Sequence, residues 1–418
     1  MLDLDDRLFR QESGRLVAAL TRIFGVHNLS LAEDVVQDAF CRALEAWAAR
    51  GMPENPGAWL MVAAKNRAID IVRRESKARK FAPELGRLLE TEWTLAAAIE
   101  EAFDVHVVRD EQLRMMFSCC HPRLPVEAQL ALVLNILCGF GARAIAGALL
   151  TGQAAIEKRI ARGKQALART RTLFDLGDEA FAERLETVRR ALYLLFSEGY
   201  HGSAAASAVR AELCDEAMRL VGLLCQHPPA ATPTTRALAS LMYLHAARLP
   251  ARVDDAGELR ALVDHDRSTW DGRLLQRGLE LLDSSTGGTH LSAYHLEAAI
   301  AAVHAAARSV EDTDWGAIVG LYDHWMRLAP SPVIALNRAI AIGQLRGPDK
   351  GLRALRTIAH RERLAGYPFY VAAIGELELR RGCHQAARSH FQEAAALARN
   401  DAERRFFERR ADGCRGQG

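Results

Sequence analysis

Stretches rich in Ala, Leu, Arg and Glu, with apolar residues at helical spacing, run along almost all of this 418-residue chain. Prolines number only 13 and β-branched residues are sparse. An all-β fold is thereby excluded and an all-α fold expected. The length suits two to four domains at ~100–200 residues each, with enough apolar mass for real cores. Formal net charge is only +2, from 54 Lys+Arg against 52 Asp+Glu. That balance excludes a histone-like polycation but conceals opposed blocks. Residues 61–80 hold seven bases and two acids, 81–112 two bases and eight acids, and 153–171 six bases and one acid.

No run of ~18 apolar residues exists, so no membrane span is expected. The acidic start, Met1-Leu-Asp-Leu-Asp-Asp6, lacks the basic-then-apolar pattern of a signal peptide, and a cytoplasmic location is expected. Eight cysteines spread over the chain make no disulfide framework. Cys119-Cys120-His121 invites a zinc reading, but neighbours on a helix diverge by about 100° and no second ligand pair completes the set. Buried, reduced thiols are expected instead, with no metal and no other cofactor.

The pattern divides the chain into four parts. Residues 1–80 read as three helices, from Leu8 to Phe24, Leu31 to Ala49 and Pro56 to Lys77, with the last two separated by the Gly51–Gly57 break. Residues 81–112 form an acidic linker. Residues 113–175 resume helical spacing, with breaks at His121-Pro122, Cys138-Gly139 and Thr151-Gly152. Residues 180–418 form a long helical remainder. Within it, Ala335–Gly347 and Tyr370–Gly382 align with their Arg-Gly ends 35 residues apart, and each precedes a second amphipathic helix (Leu352 to Leu364, Gln385 to Ala398). Trp315 to Leu328 reads as the second helix of a preceding unit. A period near ~34 residues is that of tetratricopeptide units, placed here at about 312–400.

Two segments carry nucleic-acid chemistry. On a helix starting at Trp59, the residues Leu60, Met61, Ala64, Ala68, Ile71 and Val72 share one face. Trp59, Asn66, Arg67, Asp70, Arg73, Arg74 and Lys77 share the opposite one. Arginines along a helix face neutralise phosphates, and an aromatic beside them can stack on unpaired bases. An ordinary solvated basic helix is the plainer reading of that segment. The second segment is a short helix at 142–149, a turn at 150–152 and a helix from Gln153 to Leu167. Ile156, Ile160, Gly163 and Leu167 make its narrow apolar stripe, while Ala155, Lys158, Arg159 and Arg162 face outward. This is the geometry that enters a major groove, though any two short helices imitate it.

In this order, the two segments resemble a bacterial RNA polymerase sigma factor of the extracytoplasmic-function group. Ala32-Glu-Asp-Val-Val-Gln-Asp-Ala-Phe40 is similar to the helix that docks on the polymerase clamp. Asn55–Arg74 is similar to the helix that melts and reads the −10 element. The block from Leu124 to Leu167 follows the −35-reading pattern without gaps, keeping Leu124-Pro125, Gly139, Ile145-Ala146, Arg159 and Arg162. Leu150 stands where that turn usually has Gly, and Ala155 where Thr is common. Cys119–Pro122, Ser197–His201, Tyr294–His304 and Ser331–Arg338 resemble a subfamily with a long, tetratricopeptide-like C-terminal extension.

The resemblance implies core RNA polymerase and promoter DNA as partners. Asp34, Asp38 and Phe40 would form part of the polymerase contact, the acids facing basic clamp residues and Phe40 supporting their packing; plain core is the other reading of Phe40. Arg67, Arg73, Arg74 and Lys77 would hold −10 phosphates, with Asn66 and Asp70 near bases and Trp59 supporting the pocket of a flipped base. Lys158, Arg159 and Arg162, with Ala155 beside them, would face the −35 major groove, and Arg143 and Lys164 its phosphates. The extension would take an unknown peptide, protein or small ligand. Its histidines, at 201, 245, 265, 290, 295, 304 and 324, are scattered and read as packed or solvated. Two rivals remain: a helix-turn-helix regulator with a repeat-type sensor that never meets polymerase, and an enzyme with its site in 180–418. The sequence offers no phosphate loop or acid/base pair for the enzyme.

Overall fold

The computed structural model describes residues 6–77, 105–121, 124–149, 151–169, 181–201, 209–254, 258–288 and 290–415. Among them the single β feature is an isolated bridge between Val253 and Leu259, and the rest is helix and connection. The chain divides into two compact units, residues 1–195 and 196–418.

The first unit starts with α1 (Asp6–Phe24), α2 (Leu29–Arg50) and α3 (Pro56–Lys77). Their breaks have local causes. Gly25 and Gly51 take φ of 79° and 82°, a region where a side chain is strained. The Asn55 carboxamide accepts the Ala58 N–H at 3.0 Å, and Pro56 follows at the first helical position, where its missing N–H costs nothing. Leu16, Leu20 and Phe24 of α1, Val36, Phe40 and Trp47 of α2, and Leu60, Ala64, Ala68 and Val72 of α3 are buried where the three helices pack against one another.

The unit continues through α4 (Val105–Cys119), α5 (Val126–Leu132), α6 (Ala142–Ala148), α7 (Gln153–Ala168) and the start of α8 (Phe181–His201). After α5 the helix widens into a π turn, Val133–Leu137, where the Cys138 N–H reaches the Val133 carbonyl at 3.2 Å. A helix α1 bearing any side chain at position 14 could not lie against this turn. A Cβ on Gly14 would sit 2.0 Å from the Leu137 carbonyl oxygen. Segments that the sequence reads as separate domains are therefore packed into one unit.

The linker boundary also shifts. α4 starts at Val105, inside the stretch expected as acidic linker, and Glu111 is only 4% exposed, 3.4 Å from both Arg22 and Arg114. Composition counts this carboxylate as linker charge, whereas packing makes it part of a core ion cluster. The rest of the linker, 81–104, lies outside the described residues.

The second unit contains α9 (Ala211–Gln226), α10 (Pro233–Ala246), α11 (Leu249–Arg252), α12 (Gly272–Asp283) and α13 (Ala293–Ala306). Then follow α14 (Trp315–Leu328), α15 (Pro332–Arg346), α16 (Pro348–Arg356), α17 (Pro368–Arg380), α18 (His384–Ala396) and α19 (Asp401–Gly413). The aligned Gly347 and Gly382 both take positive φ, 87° and 78°, at the turns after α15 and α17. Leu336, Leu352, Leu355 and Leu377 bind α15, α16 and α17 into one core. The helix expected from Leu352 to Leu364 ends early, at Arg356, because His360 turns left-handed (φ 56°) before a short 3-10 turn at Arg361–Leu364. Residues 253–271, expected as helix, are mostly irregular, with 3-10 turns at Leu262–Asp264 and Arg267–Thr269. There Asp254 and Asp266 use their carboxylates on nearby backbone N–H groups, a bonding mode that competes with helix.

Candidate nucleic-acid interface

Helix α3 sorts its residues as its period requires. Leu60, Ala64 and Ala68 are 0% exposed, while Asn66, Asp70, Arg73 and Arg74 are exposed on the other side. Trp59 and Arg67 are half-buried between the two. The Trp59 ring meets Trp47 edge-on at 5.5 Å, which ties the start of α3 to the end of α2. The Lys77 side chain lies outside the described residues. Two neighbours escaped the sequence reading. Met52, in the Gly51–Gly57 connection, and Val62, beside Asn66 on the helix, are 48% and 55% exposed. A valine and a methionine in helical context read as core, so only the three-dimensional placement separates them from it.

On α2, Asp34 is exposed, and Asp38 lies 3.1 Å from the Arg67 Nε and 3.2 Å from the Arg42 guanidinium. Thus the acidic face of α2 and the basic face of α3 touch through one carboxylate. Phe40 takes the packing position that is one of its two readings. It is 5% exposed and its ring lies 4.6 Å from that of Phe9, so it packs the unit that presents Asp34 and Asp38.

In α7 the buried residues are Ile156, Ile160, Gly163 and Leu167, the stripe read from the sequence. Gly163 leaves room for α5, since a Cβ there would come 2.7 Å from the Leu132 side chain. Ala155, Lys158 and Arg162 are exposed, Arg159 is half-buried, and Arg143 is exposed on α6. Leu150 lies outside the described residues. Lys164 differs from expectation: its ammonium is held by the Glu33 carboxylate of α2 at 2.6 Å, with both side chains under a quarter exposed. Sequence spacing cannot reveal a pair 131 residues apart.

The thiols of Cys119 and Cys120 are both fully buried. Burial pushes the Cys120 thiol up to about 12 and raises Cys119 well above its usual value, with Cys120 adding to the rise. Both are therefore protonated and poor metal ligands or nucleophiles. Among the described residues no three His, Cys, Asp or Glu side chains gather as a metal site, and no helix is long and apolar enough to cross a membrane.

Residues 8–78 match the sigma-70 region 2 family, and residues 184–286 match a family of unknown function (DUF6596). An uncharacterized protein of Rhizobium meliloti (strain 1021) is 39% identical over 401 residues, spanning 95% of this chain and 92% of that protein. No solved structure matches.

Proposed function

We propose that this chain, which belongs to the family of the Rhizobium meliloti protein and carries a sigma-70 region 2 domain, is a sigma factor of the extracytoplasmic-function type. It binds core RNA polymerase and directs initiation at promoters by reading −35 and −10 elements and melting the latter. The observation that carries this reading is α3, inside the matched region, with Asn66, Asp70, Arg73 and Arg74 outward and Leu60, Ala64, Ala68 and Val72 buried on the opposite face.

Each part has a role. Asp34 and Asp38 face basic residues of the polymerase, and Phe40 fixes the helix that presents them. Arg67, Arg73, Arg74 and Lys77 hold −10 phosphates, and Asn66 and Asp70 approach bases or orient arginines. Met52, Val62 and Trp59 offer apolar surface to an unstacked base, whose extrusion costs about a few kcal/mol. α6 and α7 act as a helix-turn-helix: Arg159 and Arg162, with Lys158 and Ala155 beside them, enter the −35 major groove, and Arg143 sits on phosphate. Lys164 reaches phosphate only after leaving Glu33, so promoter binding is coupled to loosening of the contact between α2 and α7. The acidic stretch upstream of α4, residues 81–104, lies in a polymerase channel built for nucleic acid. The helix pairs of 312–400 are tetratricopeptide-like and serve as a regulatory or polymerase-supporting module. The protein acts by binding and not as an enzyme.

The test is association with core polymerase. Wild-type chain co-migrates with core on a native gel, and Asp38→Arg, which reverses a partly exposed carboxylate, weakens this by roughly tenfold or more, about 1.4 kcal/mol. Circular dichroism should show the variant folded. Undiminished binding by folded Asp38→Arg removes the docking assignment.

A further inference from the structure

The second unit gathers three arginines, Arg248 buried and Arg252 and Arg267 half-buried, that share no ion pair among the described residues. His245, Arg248 and Arg252 follow one another at i, i+3 and i+7, so the end of α10 and α11 bring them to one side. Arg248 is 3% exposed, yet its guanidinium donates to a backbone carbonyl, that of Ala301, at 2.8 Å. Its other neighbour is the face of Trp270, 5.0 Å away. Arg267 approaches the same indole at 5.3 Å and donates to the carbonyls of His304 and Ala307 and the Thr313 hydroxyl. Arg252 lies over Tyr200 at 4.2 Å, with His201 3.4 Å from its Nη2 at the exposed edge.

None of these three arginines has a carboxylate within ion-pair distance among the described residues. The local acids are committed elsewhere. Asp266 is bonded to Ser268, and Asp271 caps α12 through the Arg273 and Leu274 N–H groups. Glu258 pairs with Arg405 at 2.6 Å. Glu311 and Asp312 act on Arg267 only at longer range.

Several buried polar atoms inside the cluster have no hydrogen-bond partner among the described residues: the donors Arg248 Nε, Arg267 Nε and Trp270 Nε1, and the ring Nδ1 atoms of His245 and His304. Trp270 and His304 are 6% and 7% exposed. Arginine Nε–H and indole N–H groups can only donate, so what completes them must only accept. Burying a guanidinium without an opposite charge costs several kcal/mol, which a protein rarely spends without a ligand to offset it.

We propose that this cluster is a binding site for a phosphate monoester group, with Arg248, Arg252 and Arg267 as its counter-charge and Trp270 as a neutral donor. A carboxylate has two acceptor oxygens. A phosphate group has enough to engage three arginines approaching from α10–α11 and the 265–270 turns, and guanidinium geometry suits it. The site lies in the second unit and depends on no part of the sigma-factor reading.

Thermal unfolding of the full chain tests it, with inorganic phosphate, a sugar phosphate, a nucleoside monophosphate and malonate against chloride at equal ionic strength. At ten millimolar or so, phosphate or one of its monoesters should raise the midpoint by about 3 °C through preferential binding to the folded state. The three phosphate arms identify the ester that binds best. Arg248→Met should abolish the shift while leaving the chloride midpoint unchanged or higher, because it removes a buried uncompensated charge. Arg267→Gln serves the same purpose if the first variant does not fold. No shift with any phosphate compound overturns the proposal, as does an equal shift in a folded variant or a larger shift with malonate.

Discussion

Arg162 of α7 projects into solvent from a helix whose opposite side is fully packed, whereas Arg248 of the second unit is 3% exposed and held by a carbonyl and an indole. The first unit keeps its bases outside or gives them carboxylates, as Arg67 has Asp38 and Lys164 has Glu33. The second unit gathers one buried arginine, Arg248, and two half-buried ones, Arg252 and Arg267, among histidines and gives them backbone oxygens and aromatic faces. Exposed cations remain hydrated and can exchange their counterions for DNA phosphates at low cost. Buried ones have already lost their water, so they favour a small anion that can follow them inside. Similar side chains thus point to a long polyanion in one unit and to a compact ligand in the other.

The largest effects should separate the units by function. Arg159→Ala and Arg162→Ala should each cost about 1–3 kcal/mol in promoter discrimination if they read base edges. Measured by competition between matched and mismatched −35 duplexes, the loss should concentrate at one or two positions. A uniform loss across sequences would make these arginines phosphate clamps and redraw the −35 surface.

A smaller effect concerns acid. Burial first, and the nearby Arg248 and Arg267 second, lower His304 from 6.5 to about 3, and burial with Arg252 lowers His265 to about 4. A histidine depressed in the folded state binds fewer protons there than when unfolded. Its contribution is therefore complete above about 6.5 and is lost progressively as pH falls toward 3. Unfolding of the chain followed from pH 7.5 to 4 should show stability declining, and His304→Gln should make the decline shallower. An unchanged slope in the variant would mean that His304 is not held neutral by its surroundings.

Legibility from sequence followed the same division. The α3 start at Pro56 and the α7 stripe Ile156–Ile160–Gly163–Leu167 were readable because a helix with one solvated face writes its period into the chain. Phe40 reads two ways from sequence, as support for a docking helix or as plain core, because a docking motif and a core position can share one residue. The pair Lys164–Glu33 and the crossing at Gly14 depend on partners more than a hundred residues away, which no local pattern carries. The Arg248 cluster was missed for a related reason. Spacing along the chain scatters the histidines, yet four of them, at 201, 245, 265 and 304, lie close to its arginines. The His245, Arg248, Arg252 spacing was the available local sign, and it became informative only with Arg267 and Trp270 brought in from an irregular turn.

Run-off transcription by purified core polymerase, with and without the full chain, on a pool of genomic fragments tests the central claim most directly. The account predicts transcripts that start at defined sites only when the chain is present, and that fall sharply when Arg73 and Arg74 are replaced together by alanine. Transcription from the same pool unaltered by the chain, with the chain shown to be folded, would contradict it.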